Sequence, residues 1–271
     1  MNAQSPHSRR RSPIWAVVFA ALLLLVPGCD EVLDDTGDET TTDTSGGPSD
    51  AGGSDAGATD SGAGDAGSAT DGGGADAGSS TAKKTWTIFI YGHGDHNLTP
   101  SLVADMAEMN AAKFGEHIRV IVMADWDASQ TKADGSPYPT GSEWYRVMGS
   151  GQPLKPWKTD VEQDLDDPKV LEKAVADVFT KYKADRYGIV MWNHGGAWQG
   201  GFGHDGGDGK GGGAGMSAVE VGQAITAGLT TAGITGDRSL EFLSFDTCLM
   251  AGVEILAPLA TISKVFIANA E

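Results

Sequence analysis

The fold of this 271-residue chain is decided by one stretch, Tyr187-Gly-Ile-Val-Met-Trp-Asn-His-Gly-Gly196. Its first half is an apolar, partly β-branched run, which is typical of a strand buried on both faces of a parallel sheet. Its second half ends the strand with a polar pair and two glycines, and glycine permits backbone conformations that other residues resist. In open α/β sheets, ligands bind beyond the carboxyl ends of the strands. We therefore expect His194 to lie where such folds carry out their chemistry.

A second strand-like run, from Leu240 to Phe245, also ends in polar residues, Asp246-Thr-Cys248. A helical pattern runs from Leu249 to Ala260, so Cys248 is expected beside a helix N-terminus, whose dipole favours the thiolate. A single cysteine is more often an inert buried residue. However, two successive parallel strands that end in His194 and Cys248 bring a base and a nucleophile to one edge of the sheet. Such a pair is the minimal apparatus for acyl transfer through a thioester.

These two stretches resemble a known family. Trp192-Asn-His-Gly-Gly196 and Asp246-Thr-Cys-Leu-Met250 are similar to the His and Cys motifs of the clostripain family of cysteine peptidases. Trp86 to Leu98 resembles the family's opening strand and its Asp-x-Asn-Leu turn, and Asp166 to Tyr187 resembles the approach to the His strand. The resemblance extends over residues 85–271 and implies an α/β protein with the caspase-like fold. This fold is a three-layer α/β/α sandwich with a mostly parallel sheet.

The resemblance also implies a mechanism and a set of site residues. Cys248 would attack the scissile carbonyl, and His194 would protonate the leaving amine and then activate water. The backbone N–H groups of Gly195 and Cys248 are the candidate oxyanion donors. The family prefers Arg or Lys before the cleaved bond, and Asp246 occupies the family's position for an acidic substrate-binding residue. The alternative for Asp246 is a turn or helix-cap role.

Strands and helices alternate from Lys83 onward, which by itself indicates a parallel or mostly parallel sheet. Besides the two motif strands, we predict strands and helix starts at the following positions: strands at Trp86 to Tyr91, Ile118 to Ala124, Glu143 to Met148 and Lys264 to Asn269, and helix starts at Thr99-Pro100, Asp167-Pro168 and the capping box Ser217 to Glu220. Family members continue past the position of Glu271. The predicted peptidase domain, residues 83–271, is therefore expected to be incomplete at its C-terminal end.

The first third of the chain is predicted to be an export signal and a tether. Three arginines precede the apolar run Ile14 to Val26, and Val26-Pro-Gly-Cys29 resembles a bacterial lipobox. We therefore predict a lipoprotein signal peptide at residues 1–28, with Cys29 attached by a lipid to a membrane of the cell envelope. An uncleaved anchor or an ordinary cleavage site is the alternative, although the run is short for a transmembrane helix. Residues 29–82, rich in Gly, Ser, Asp and Ala, bury too little apolar surface to fold and are predicted to be a disordered tether.

This tether accounts for most of the formal net charge of −18. Residues 30–82 hold 13 acidic and no basic side chains, whereas the chain from Lys83 onward holds 24 acidic and 16 basic ones. An acidic chain of this kind argues against nucleic-acid binding. The chain has two cysteines, and a lipid on Cys29 would leave Cys248 as the only thiol of the exported domain.

A glycine-rich segment, Gly200 to Gly215, separates the His strand from the next predicted helix. Glycine at this density does not pack, so the segment is expected to be exposed, as preferred cleavage sites are. Its only basic residue is Lys210, which we predict to be a self-cleavage site for an enzyme that prefers Lys or Arg. A plain flexible surface loop, or a Gly-Asp calcium turn, is the alternative.

The proposed chemistry requires no cofactor, but calcium is a candidate because some family members need it. The pairs Asp125/Asp127 and Asp205/Asp208 are candidate ligands, and the sequence does not choose between them. His93 and His96 flank Asp95 after the first strand, where we expect a turn with solvated imidazoles rather than a metal site.

The predicted function is that of a membrane-tethered cysteine endopeptidase that cleaves protein or peptide substrates after Arg or Lys. The alternative is a catalytically inactive, lipid-anchored binding domain on the same fold.

Overall fold

The computed structural model describes residues 83–203 and 215–271 of the chain. The predicted signal peptide, the tether and the segment that contains Lys210 lie outside these ranges.

The described residues contain one mixed sheet of seven strands. In chain order these are β1 (Trp86–Gly92), β2 (Ile118–Ala124), β3 (Glu143–Val147), β4 (Pro156–Thr159), β5 (Arg186–Trp192), β6 (Leu240–Asp246) and β7 (Ser263–Ile267). Across the sheet they lie in the order β4-β3-β2-β1-β5-β6-β7. Five neighbouring strands pair in parallel: β2, β1, β5, β6 and β7. At the other edge, β3 pairs antiparallel with both β2 and β4. The predicted mostly parallel sheet is confirmed.

Helices cover both faces of this sheet. They are α1 (Thr99–Ala111), α2 (Pro168–Lys181), α3 (Ala197–Gly200), α4 (Ala218–Thr231) and α5 (Val253–Leu259). On one face, the apolar side of α1 packs on β1 and β2 through Leu102, Met106 and Met109. On the other face, α2, α4 and α5 pack on the same sheet and on each other in a second apolar cluster. The three-layer α/β/α sandwich predicted from the sequence is therefore confirmed.

Two of the predicted helix starts have the expected caps. The Asp167 carboxylate accepts a hydrogen bond from the Lys169 backbone N–H at 2.8 Å, and Pro168 begins α2. At α4, the Ser217 hydroxyl accepts from the Glu220 N–H and the Glu220 carboxylate accepts from the Ser217 N–H, which is a complete capping box. Thr99 differs, because its hydroxyl donates to the Gly94 carbonyl at 2.6 Å instead of capping α1.

The segment after Cys248 differs most from the prediction. The helix expected from Leu249 begins at Val253, and Leu249 itself has a φ of 61°, which an α-helix excludes. The intervening turn is held by the chain that follows β7, since Leu249 N–H donates to the Glu271 carbonyl and Ala251 N–H to the Asn269 carbonyl. No helix N-terminus lies at Cys248. The predicted dipole effect on its sulfur is therefore wrong.

Among the residues that the structure describes, every helix is too short or too polar to cross a lipid bilayer.

Candidate active site

His194 lies in a tight turn directly after β5. The strand ends at Trp192, and the buried Asn193 side chain accepts a hydrogen bond from the His194 backbone N–H. The chain then forms a short antiparallel bridge between Gly195 and Phe202. The buried strand thus ends, and the polar turn begins, at the position that the sequence predicted.

Cys248 lies in the corresponding turn after β6. Its side chain is buried, as is that of the preceding Thr247. The Asn269 side-chain amide donates to the Thr247 carbonyl at 3.2 Å, so the segment after β7 fixes this turn as well. The position of Cys248 therefore depends on tertiary contacts and not on a helix cap.

The two turns are adjacent because β5 and β6 are parallel neighbours. Trp192 and Asp246 are paired across the strands, and His194 and Cys248 each follow this pair by two residues. Gly195 touches the Cys248 turn directly. A Cβ at position 195 would overlap the Cys248 carbonyl oxygen and would lie 3.0 Å from the Thr247 hydroxyl. The predicted residues His194, Gly195 and Cys248 are thus together at one edge of the sheet, while their chemical roles stay predictions.

The His194 imidazole has two close neighbours from the loop between β1 and α1. Its Nε2 lies 2.9 Å from Oδ1 of Asn97, and its ring centroid lies 5.0 Å from that of His96. Burial lowers the pKa of His96 to about 4, and the nearby His93 and His194 add to this shift. His93 and His96 are 0% and 8% exposed, so the expectation of solvated imidazoles is wrong.

Asp246 is buried at the end of β6. Burial raises the pKa of its carboxyl to about 7, and the negative charge of Asp105 raises it further. Asp105 is on α1 and accepts a hydrogen bond from Trp192 Nε1 at 2.7 Å. Burial also raises the pKa of Asp105. Two partly desolvated carboxyl groups thus lie near one another, and this arrangement favours the binding of a cation. The helix-cap alternative for Asp246 is wrong, because α5 is capped at Gly252.

One group of described carboxylates has the geometry to hold a metal ion. Asp95, Asp125 and Glu162 each place one oxygen within 4.8 Å of the others, with both aspartates buried and Glu162 exposed. Asp127 belongs to a turn instead, since its carboxylate accepts from Ser129 N–H at 2.8 Å and from the Gln130 amide at 2.9 Å. The predicted Asp125/Asp127 pair is therefore not the set that the structure brings together. Calcium binding stays a prediction.

Four predicted residues, Cys29, Asp205, Asp208 and Lys210, lie outside the described residues. The two ends of the segment that contains Lys210 are described. Phe202 and Met216 exchange two backbone hydrogen bonds of 2.8 Å, which fastens the ends of this segment to each other.

The sequence analysis missed Asn97, Asp105 and Glu162. Asn97 is part of the quoted Asp-x-Asn-Leu turn, so its presence after β1 was visible, but not its contact with a residue 97 positions away. Asp105 follows Leu102 and precedes Met106 on the apolar side of α1. A carboxylate on this side of the helix was a signal of a partly buried charge. Nothing in the local sequence distinguished Glu162.

Comparisons with known proteins agree with this geometry. The profile of the clostripain family, Peptidase C11, matches residues 90–271. Clostripain of Hathewaya histolytica is 25% identical over 183 residues, which are 62% of this chain and 35% of that protein. A secreted C11 cysteine protease of Bacteroides thetaiotaomicron, solved with an irreversible peptide inhibitor, is 22% identical with a TM-score of 0.53. The match covers 68% of this chain and 48% of that protein.

A second structure from the same organism, the secreted C11 protease iotapain, is 17% identical with a TM-score of 0.52. It covers 70% of this chain and 53% of that protein. These structures show that the chain has the fold of C11 proteases. The chain spans about a third of the length of the clostripain it matches and about half of each solved structure.

Proposed function

Because the chain belongs to the clostripain family of cysteine peptidases, we propose that it is a cysteine endopeptidase with Cys248 as nucleophile and His194 as general acid and base. The observation that carries this proposal is the placement of His194 and Cys248 at matching positions beyond two adjacent parallel strands. A nucleophile and a base on adjacent turns are what covalent acyl transfer requires.

The reaction proceeds in two steps. The Cys248 proton moves to His194, and the thiolate attacks the scissile carbonyl carbon to form a tetrahedral oxyanion. The C–N bond then breaks, and the amine leaves with the proton from His194. In the second step His194 takes a proton from water, the hydroxide attacks the thioester, and Cys248 is released as the thiol.

The oxyanion of each step needs fixed hydrogen-bond donors. The backbone N–H groups of Gly195 and Cys248 are our candidates, and the close approach of Gly195 to the Cys248 carbonyl supports their shared location. Donors on two rigid turns need no reorganisation when the charge develops, which is the condition for strong electrostatic stabilisation.

Substrate preference is proposed to depend on Asp246. Its buried carboxyl, with Asp105 nearby, would form a charge-assisted pair with an Arg or Lys side chain before the cleaved bond. The carboxylate, but not the protonated acid, attracts this cation. Binding of a basic substrate should therefore improve as the pH rises through about 7.

A panel of peptides that differ only in the residue before the cleaved bond tests this function. The reduced full chain should cleave the Arg and Lys peptides, and Cys248→Ala should cleave none of them. Asp246→Asn should raise KM for the basic peptides about 10- to 100-fold, because a charge-assisted pair contributes about 1.5–3 kcal/mol. Equal cleavage of Arg and Ala peptides by the parent chain would overturn the basic preference and leave the peptidase proposal intact.

Self-cleavage at Lys210 is part of the same proposal. Cleavage after Lys210 would leave two fragments that stay paired through the Phe202–Met216 bridge and through β5 and β6. Denaturing electrophoresis should then show two fragments, while native size should not change. Cys248→Ala and Lys210→Ala should both remain a single chain.

We further propose that the mature protein begins at Cys29 and is held at a bacterial membrane by a lipid on that residue. A lipid on Cys29 would leave Cys248 as the only thiol of the exported domain. Mass spectrometry of the N-terminal peptide tests this anchor. An unmodified N-terminus at another residue would overturn it.

A further inference from the structure

The loops after β1 and β5 meet because these strands are parallel neighbours. Gly92 and Trp192 are paired at the strand ends, and His93 N–H donates to the Trp192 carbonyl at 3.1 Å. The contact places Asn97 beside His194, with 2.9 Å between the Asn97 Oδ1 and the His194 Nε2. We propose that Asn97 is a positioning residue, which holds the His194 ring and keeps a proton on Nε2. This inference rests on the peptidase function proposed above.

Asn97 is exposed, but the turn that carries it is rigid. Its neighbours His96 and Leu98 are buried, at 8% and 2% exposure. Around it, the His96 backbone N–H donates to the Gly94 carbonyl at 2.7 Å, and the His96 carbonyl accepts from the Gln130 amide at 2.7 Å. A side chain on such a turn loses little entropy when it fixes its partner, which is the physical basis of preorganisation.

The His96 imidazole does not donate a hydrogen bond to the Asn97 side chain. Its Nδ1 lies 3.1 Å from the Leu98 backbone N–H, which can only donate, so Nδ1 is the acceptor. Its Nε2 lies 3.1 Å from the His93 carbonyl, which can only accept, so Nε2 carries the proton. The His96 Nδ1 also lies 3.2 Å from the Asn97 Oδ1. Because this nitrogen carries no proton, the donor to that oxygen is the Nε2–H of His194 at 2.9 Å.

This arrangement settles which His194 nitrogen acts as the base. A neutral imidazole has one N–H and one lone pair, so a proton held on Nε2 leaves the lone pair on Nδ1. Nδ1 would take the proton of Cys248 and pass it to the leaving amine. Asn97 accepts the same hydrogen bond in the neutral and the protonated states of His194. It therefore orients the ring without exchanging a proton.

The tautomer can be measured without any turnover. Nitrogen-15 NMR of the histidine rings in the reduced full chain reports the proton on each nitrogen, and loss of one signal set in His194→Gln identifies His194 among the six histidines. We expect the Nε2–H form in the parent chain and a mixture of both tautomers in Asn97→Ala. A parent chain in the Nδ1–H form, or an unchanged tautomer in Asn97→Ala, would overturn the inference.

Kinetics supply the second arm. Asn97→Ala should lower kcat about 10- to 100-fold with KM unchanged, because misplacement of a catalytic group on this scale costs that much. Asn97→Asp keeps the acceptor oxygen, so it should restore much of kcat, and its added negative charge should move the acidic limb of the kcat profile to higher pH. Asn110→Ala is the matched control, since it removes a half-buried asparagine whose side-chain amide donates to the Gln152 carbonyl at 2.6 Å.

The two arms separate this inference from the peptidase function. If the chain shows the Nε2–H tautomer, lost in Asn97→Ala, but cleaves no peptide, the positioning role stands and the peptidase proposal fails. If peptides are cleaved and Asn97→Ala matches Asn110→Ala in kcat and in its pH profile, the positioning role is overturned.

Discussion

The Gly195 Cα and the Cys248 carbonyl approach so closely that any side chain at position 195 would overlap that oxygen. The contact joins the turn after β5 to the turn after β6 and fixes the relative position of the two motifs. Glycine is needed at position 195 because it alone has no Cβ. The glycine that follows His194 in the sequence is thus explained by packing against the nucleophile turn.

Gly195→Ala should separate the two turns. The added methyl would meet backbone and the Met250 side chain, which would lie 2.8 Å away, so the turn must shift. We expect kcat to fall about 100-fold and the free energy of unfolding to fall by about 1–3 kcal/mol, the usual cost of overpacking. Urea unfolding and peptide cleavage measure the two effects. Gly200→Ala is the matched control, because a Cβ there meets nothing within 4 Å; equal losses in both variants would contradict the account.

Gly188→Ala should destabilise the strand that carries His194. A Cβ at Gly188 would overlap the ring of Phe242 on β6, and this ring is buried beside Trp86. We expect a loss of about 1–3 kcal/mol in the free energy of unfolding. Phe242→Leu makes room, so the double variant should be more stable than the sum of the two single losses predicts. Strict additivity in urea unfolding would show that the two residues do not interact.

Asp246 should make stability depend on pH. Its pKa is about 7 in the folded protein against an ordinary value of 3.8, so the folded state keeps a proton that the unfolded chain releases. The contribution of the protonated Asp246 carboxyl to the free energy of unfolding is complete below pH 3.8 and is lost as the pH rises through about 7. Asp246→Asn stays neutral. The free energy of unfolding of this variant should therefore exceed that of the parent chain by an amount that grows between pH 4 and pH 7, to at most about 4 kcal/mol.

Unfolding by urea at several pH values measures this difference. Asp237→Asn removes an exposed carboxylate and serves as the control for the change in net charge. Since Asp105 shares the environment of Asp246, Asp105→Asn should show part of the same effect. The gain in free energy of unfolding in Asp246→Asn could instead be constant with pH or shrink as the pH rises. Either result would contradict a raised pKa for the buried Asp246 carboxyl.

The sequence predicted those parts of the fold that local patterns determine. The bounds of β2 and the capping box at Ser217 were predicted correctly, because apolar runs and cap residues act within a few positions. The start of α5 was not, because the turn at Leu249 is held by backbone bonds to residues 269 and 271. β4 was missed as well, since it is a short, largely exposed edge strand without an apolar pattern.

The residues of the candidate site also fall into those that local sequence predicted and those that it did not. His194, Gly195 and Cys248 were predicted because each strand end carries its own motif. Asn97 and Asp105 were missed because their roles arise only when β1 is known to lie beside β5 and α1 to cover that face of the sheet. Contacts between distant segments decide which polar residues join a motif, and one sequence does not contain that information.

The central claim, that Cys248 is the nucleophile, is tested most directly by labelling the reduced full chain with a peptidyl acyloxymethyl ketone that ends in arginine. Peptide mass spectrometry then locates the label. We predict a single thioether on Cys248, no label in Cys248→Ala, and labelling about 100-fold slower in His194→Ala, from which the base is missing. A label on another residue, a folded and reduced chain that takes no label, or peptide cleavage by Cys248→Ala at the parent rate would contradict the claim.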